Sequence, residues 1–110
     1  GARLMAGILY AIPTPLGAAP EESLPVSALL TVRSLRDFAV ENAKSARAFL
    51  SAAGCDPKLA SIHEIGADIA PLLQPLREGR PLGLLSEAGC PAIADPGAKL
   101  VEAAHREGFR

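Results

Sequence analysis

The chain has 110 residues, with 11 Lys and Arg against 12 Asp and Glu, and a formal net charge of −1. That length holds one small domain with a modest core and excludes two full-sized ones. Charged residues at 21% beside hydrophobic ones at 49% exclude a disordered charged tail, and the balance of sign excludes a strongly cationic nucleic-acid binder but not a localised RNA contact.

Residues 1–55 carry five basic and four acidic groups, and the remainder carries six and eight, so neither half is an electrostatic arm. Cys55 and Cys90 stand too far apart for a zinc knuckle or a C-x-x-C redox pair, and two cysteines give little basis for a disulfide framework. No apolar run approaches the roughly 18 residues of a membrane span, and no signal peptide precedes the first apolar run. A soluble cytoplasmic domain is the expectation. Met5-Ala6-Gly7-Ile8 reads as a native start, which makes Gly1 to Leu4 an added leader. Aromatics are only 4% (Tyr10, Phe38, Phe49 and Phe109), with no Trp, which argues against an aromatic stacking platform for single-stranded RNA.

Ile8 to Ile12 is a continuous apolar run closed by Pro13-Thr14-Pro15-Leu16-Gly17, and it predicts a strand buried on both faces of a parallel sheet. Ser23 is placed to cap a helix with Pro25 in its first turn, and Val26, Leu29, Leu30 and Val32 supply an apolar stripe to about Ser34. Phe38 to Val40 predicts a second strand. Ala43, Ala46, Phe49, Leu50 and Ala53 fall on one helix face, with Gly54 as the residue that ends it.

Ser61 to Ile65 reads as a third strand with a polar centre. Ile69, Leu72, Leu73 and Leu76 mark another helix, with Asp68 as its cap, a kink at Pro75 and an end at Gly79. Leu82 to Leu85 predicts a fourth strand buried on both faces. It runs into Ser86 to Gly97, read as a loop that is neither helix nor strand. A last helix carries Leu100, Val101 and Ala104 and ends near Gly108. Strand–helix alternation repeated four times implies an α/β, three-layer sandwich around a mostly parallel sheet, joined by right-handed crossovers.

Ligands of such sheets bind beyond the carboxyl ends of the strands. Pro13 to Gly17, Glu41 to Ser45 and Ser86 to Gly97 occupy those ends, and the last holds two carboxylates, Glu87 and Asp95, among glycines and prolines. Either a rigid connection or a ligand loop fits that composition. There is no G-x-G-x-x-G, no phosphate loop with a Gly-Lys-Ser/Thr ending, and no G-x-S-x-G elbow. His63 and His105 lack the neighbours of a metal site, so no metal is expected. His105 reads as solvated and His63 as structural. Lys44 and Arg47 read as a solvated helix face, and Cys90 as a small turn residue rather than a nucleophile.

Two segments carry a family resemblance. Leu9-Tyr10-Ala11-Ile12-Pro13-Thr14-Pro15-Leu16-Gly17 is similar to an opening L-Y-V-V-A-T-P-I-G, and Ser86-Glu87-Ala88-Gly89-Cys90-Pro91-Ala92-Ile93-Ala94-Asp95-Pro96-Gly97 to S-D-A-G-T-P-G-I-S-D-P-G. Both motifs belong to the tetrapyrrole methylase family of S-adenosylmethionine-dependent methyltransferases. The chain resembles that family's N-terminal domain from Gly7 onward, most closely in the branch that methylates a ribose 2′-hydroxyl of 16S rRNA.

The resemblance implies residues 7–110 as the first of two α/β domains, with the methyl donor held in the cleft between them without a metal, in a homodimer. It implies donor contacts from Pro13, Thr14, Pro15 and Gly17, and from Gly89, Cys90, Pro91, Ala92, Ile93 and Ala94. Gly89-Cys90-Pro91 stands where the wider family has Gly-Asp-Pro. The reaction implied is direct displacement at the sulfonium methyl, with Glu41, Glu87 or Asp95 as the base for the acceptor hydroxyl. This stretch alone is expected to be inactive.

The rRNA branch has E-D-T-R where this chain has Glu41-Asn42-Ala43-Lys44, H-E-H-N-E where it has His63-Glu64-Ile65-Gly66-Ala67, and G-N where it has Gly17-Ala18. These departures point toward a paralogue with another acceptor. The rRNA ribose itself, a small-molecule tetrapyrrole, and a non-catalytic donor-binding module are the alternatives.

Overall fold

The computed structural model describes residues 7–14, 25–87 and 96–109. In chain order they form β1 (Leu9–Thr14), α1 (Val26–Ser34), β2 (Asp37–Val40), α2 (Ala43–Ala52), a 3₁₀ turn (Pro57–Leu59) and β3 (Ser61–Glu64). A second 3₁₀ turn (Ala70–Leu73) then runs into α3 (Gln74–Arg77), followed by β4 (Leu82–Glu87) and α4 (Pro96–Arg106). The four strands make one parallel sheet in the order β1-β4-β2-β3. The α/β class and parallel pairing expected from the alternation are what the chain forms.

Successive side chains of a strand face opposite sides, so each strand feeds two cores. Ile12, Phe38, Val40 and Leu85 pack under α1 and α2 against Leu29, Val32, Phe49 and Leu50. Ala39, Leu82 and Leu84 pack on the other side against Leu73, Leu76, Leu100 and Ala104 from α3, its 3₁₀ lead-in and α4. Each fully buried leucine or phenylalanine contributes about 1.5–3 kcal/mol of transfer free energy. Gly83 in β4 is small for a packing reason: a Cβ there would lie 2.9 Å from both Leu35 Cδ1 and Phe38 Cδ1.

The connections obey one handedness. The chain steps from β1 to β2 to β3 in one direction with both helices on the first face. It then reverses from β3 to β4 with its connection on the second face, as right-handed crossovers require.

Several boundaries differ from the sequence expectation, each for a physical reason. β1 runs on through Pro13 and Thr14 instead of closing before them. Among the described residues it pairs with β4 alone and is an edge strand, where a missing N–H is tolerated. For the same reason β1 is not buried on both faces: Tyr10, Ala11 and Pro13 are exposed. Ser86 and Glu87, read as loop, extend β4 opposite Pro13 and Thr14, and Pro96 and Gly97 already belong to α4.

Asp68 does not cap the third crossover. The residue before its 3₁₀ turn is Ile69, with no side-chain cap bond. Pro25 lies just before α1 rather than inside its first turn, and the expected cap Ser23 lies outside the described residues. The glycine stops hold: Gly54, Gly79 and Gly108 all take positive φ, at 92°, 83° and 88°.

Candidate functional site

The carboxyl ends of β1, β4 and β2 meet the start of α2 around a small notch lined by Thr14, Val40, Glu41, Asn42, Ser45, Ala46 and Leu85. Connections leave β1 and β2 toward one face of the sheet and β4 toward the other. A crevice at such a reversal is the usual ligand position of an open α/β sheet. The floor is apolar, because Val40, Ala46 and Leu85 are buried. Among the described residues Thr14 is the one buried polar side chain. Its hydroxyl donates to the Ser86 carbonyl at 3.0 Å, which ties the ends of β1 and β4 together.

The α2 side of the notch is equally well fixed. Asn42 has extended backbone, and its Oδ1 accepts from the Ser45 N–H at 2.9 Å. The Ala46 N–H donates to the Asn42 carbonyl at 3.0 Å to begin the helical ladder. The Ala43 N–H donates to Glu64 Oε2 at 2.8 Å, across from the end of β3. Two of the four N–H groups that a helix start leaves unpaired are thereby satisfied by side chains. The Ile65 N–H donates to the Val40 carbonyl at 2.8 Å and extends the β2–β3 pairing to the same level.

Of the residues singled out from sequence, Thr14 and Glu41 line this notch, and Glu41 is half-buried there. Glu87 ends β4 in register with Thr14, so its backbone belongs to the same rim. Pro13 is exposed on the opposite side of β1 and is not among the lining residues. Pro15, Gly17, Gly89, Cys90, Pro91, Ala92, Ile93, Ala94 and Asp95 lie outside the described residues.

Asn42 and Ser45 fall in the segment Glu41 to Ser45 expected at a strand end, but neither had an individual role from the sequence, and Glu64 was not expected at the notch at all. A signal for Asn42 was present, since an Asn directly before an amphipathic run is a good cap. Glu64 had none of this kind, because its role depends on a neighbouring element 21 residues away.

Elsewhere, His63 is exposed on β3 and faces a separate groove with Asp37, Gln74 and Arg80. His105, Lys44 and Arg47 are exposed, as expected for solvated helix positions. Cys55 lies after α2, at the end of that helix away from the notch. Burial pushes its thiol up from the usual range, which makes it a poorer nucleophile. Among the described residues no group of three His, Cys, Asp or Glu could hold a metal, and no helix is long and apolar enough to cross a membrane.

The described lining leaves only about 10 Å³ of room, enough for roughly one water. A small-molecule pocket measures about 300–1,000 Å³. The described lining alone is therefore too small to enclose such a ligand. Its charge is informative: among the described residues the one acidic side chain lining the notch is Glu41, which suits a cationic ligand better than a phosphate-bearing one.

The chain is 36% identical over 105 residues to a ribosomal RNA small subunit methyltransferase I of Halalkalibacterium halodurans, covering 94% of this chain and 36% of that protein. Proteins of the same name from Bacillus subtilis and Thermotoga maritima are 32% identical over 98 residues and 33% over 105. These matches take in 87% and 94% of this chain. The chain thus spans between about a third and just under half the length of these curated relatives, 33% of the Bacillus protein and 46% of the Thermotoga one. No family model matches it.

Proposed function

We propose that this chain is the N-terminal part of an S-adenosylmethionine-dependent methyltransferase of the tetrapyrrole methylase type, acting on ribosomal RNA. The observation that carries this reading is the similarity, along nearly the whole chain, to several proteins that share one methyltransferase name. The geometry supports it independently. The notch lies where α/β sheets bind ligands, its acidic lining residue Glu41 suits a cationic sulfonium, and its small size is in keeping with further walls from a second domain. The shared name also favours an rRNA acceptor over the paralogue suggested by the changed residues at Asn42, Ala43 and Lys44.

When bound, S-adenosylmethionine supplies a methyl group activated by a cationic sulfur. Thr14 and the Glu41–Asn42 turn would form one wall of its cleft. Glu41, half-buried on that wall, is the described carboxylate best placed to take the proton of an acceptor hydroxyl. Glu87 and Asp95 remain candidates for the same duty. Pro13, Pro15, Gly17 and the Gly89 to Ala94 stretch would complete the donor side. No part of this scheme needs a metal, because displacement at the methyl depends on alignment more than on covalent or Lewis-acid help.

In the longer protein, we place the segment after α4 against the open edge of β1. α4 lies on the face that serves movement from β3 back toward β1. A right-handed crossover from it therefore delivers the next parallel strand outside β1, beside Ile8 and Tyr10, which are 38% and 36% exposed. A second domain beyond that strand, a homodimer and a cytoplasmic location complete the reading.

Calorimetric titration of S-adenosylmethionine and S-adenosylhomocysteine, into the full-length protein and into residues 1–110, tests it. Binding to the full-length protein alone supports a shared cleft, and binding to neither rejects the methyltransferase reading. Loss of a single ribose methyl from 16S rRNA in a deletion strain would establish the acceptor, and an unchanged rRNA would exclude it.

A further inference from the structure

We infer that Glu64 is a positioning residue that holds the Glu41–Ala43 wall of the notch in place. The inference rests on the methyltransferase reading above and adds to it a residue that touches none of the reacting groups. Its basis is the set of restraints on that wall. On one side, Val40 is fixed by sheet pairing to both Leu85 and Glu64 and by the Ile65 N–H on its carbonyl. On the other, Asn42 is held by its own cap to Ser45.

The bond from the Ala43 N–H to Glu64 Oε2 at 2.8 Å adds a third restraint at the point where α2 sets off. That bond ties the first residue of α2 to the last residue of β3, and it is made by an exposed carboxylate. It buries no apolar surface, so it does little for the core. What it does is help to hold the backbone of Glu41, which stands between Val40 and the start of α2. It also gives the start of α2 an internal carboxylate, which meets part of this helix end's preference for negative charge.

Substitution in the full-length protein tests the role, with calorimetric titration of S-adenosylhomocysteine as the main readout. A lost helix-start bond is worth about 0.5–2 kcal/mol, so Glu64→Ala should weaken binding roughly twofold to thirtyfold. Glu64→Gln, whose Oε1 can still accept from Ala43, should stay within about threefold of wild type. Arg77→Ala, which breaks a surface ion pair with Glu107 away from the notch, controls for stability and should leave affinity unchanged.

In kinetics, the Glu64→Ala loss should fall on the donor KM, while Arg77→Ala moves neither KM nor kcat. Wild-type affinity in Glu64→Ala overturns the positioning role and leaves the methyltransferase reading standing. Equal weakening in Arg77→Ala also overturns it, because the effect would then be one of stability. Absence of binding in the wild type overturns both readings together.

Discussion

The two connections that flank β3 solve the same problem with opposite materials. The one before it, α2, is a ten-residue helix with a side-chain cap, an apolar stripe and a glycine stop. The one after it has two prolines within five residues, and it forms only a 3₁₀ turn and a single α-helical turn. Pro75 removes an N–H that a longer helix would need. Yet both connections bury leucines completely: Leu50 is 0% exposed in α2 and Leu76 is 1% in α3. A regular helix is therefore not required to cover a sheet; a well-placed apolar side chain is enough. What the regular helix adds is a defined N-terminus, and only α2 brings one to the notch.

The largest test of this contrast truncates the two leucines. Leu50→Ala and Leu76→Ala should each cost about 2–5 kcal/mol in urea denaturation, because each leaves a cavity in a closed core. A loss below about 1 kcal/mol at Leu76 would show the proline-rich connection to be a loose cover. The approach of β1 to that connection should be the next most sensitive feature. A Cβ on Gly7 would lie 2.4 Å from the Leu76 Cα and 2.8 Å from the Arg80 carbonyl, both of them backbone. Gly7→Ala should therefore cost about 1–3 kcal/mol. Gly83→Ala should cost less, since the atoms it meets are the side-chain ends of Leu35 and Phe38.

The helix starts differ by a smaller amount. Asn42→Ala removes the cap bond to Ser45 and should lower stability by about 1 kcal/mol. The corresponding change at Asp68 should stay within about 0.5 kcal/mol, because no side chain caps the turn that follows it. Equal losses at Asn42 and Asp68 would remove the distinction between the two connections.

These differences also show what the sequence made legible and what it hid. The apolar stripe of α2 and Gly54 are local features, and local spacing reveals them. Whether β1 is central or at an edge is set by the strand order, which no local pattern encodes. The apolar run from Ile8 to Ile12 therefore suggested burial on both faces, where the sheet gives one. Pro13 looked like a strand end for the same reason. At the site, Thr14 and Glu41 were found because strand ends are predictable, while Glu64 acts across the sheet on an element already passed in the chain.

The smallest effect joins the proline-rich connection to the last helix. Arg77 of α3 donates to Glu107, just after α4, through Nε at 3.0 Å and Nη2 at 2.8 Å. Its Nη1 also reaches the Ala70 carbonyl at 3.0 Å. The hydrogen bond from Arg77, aided by its charge, lowers the Glu107 carboxyl below its ordinary value. A carboxyl depressed in the folded state contributes stability above its unfolded value, about 4.3, and loses it as pH falls through the folded value. Glu107→Gln should therefore melt slightly below wild type at neutral pH, and the two melting curves should converge in acid. High salt should narrow the gap as well, since the pair is solvent-exposed. A gap that persists unchanged in acid would mean that the two segments are joined by packing alone.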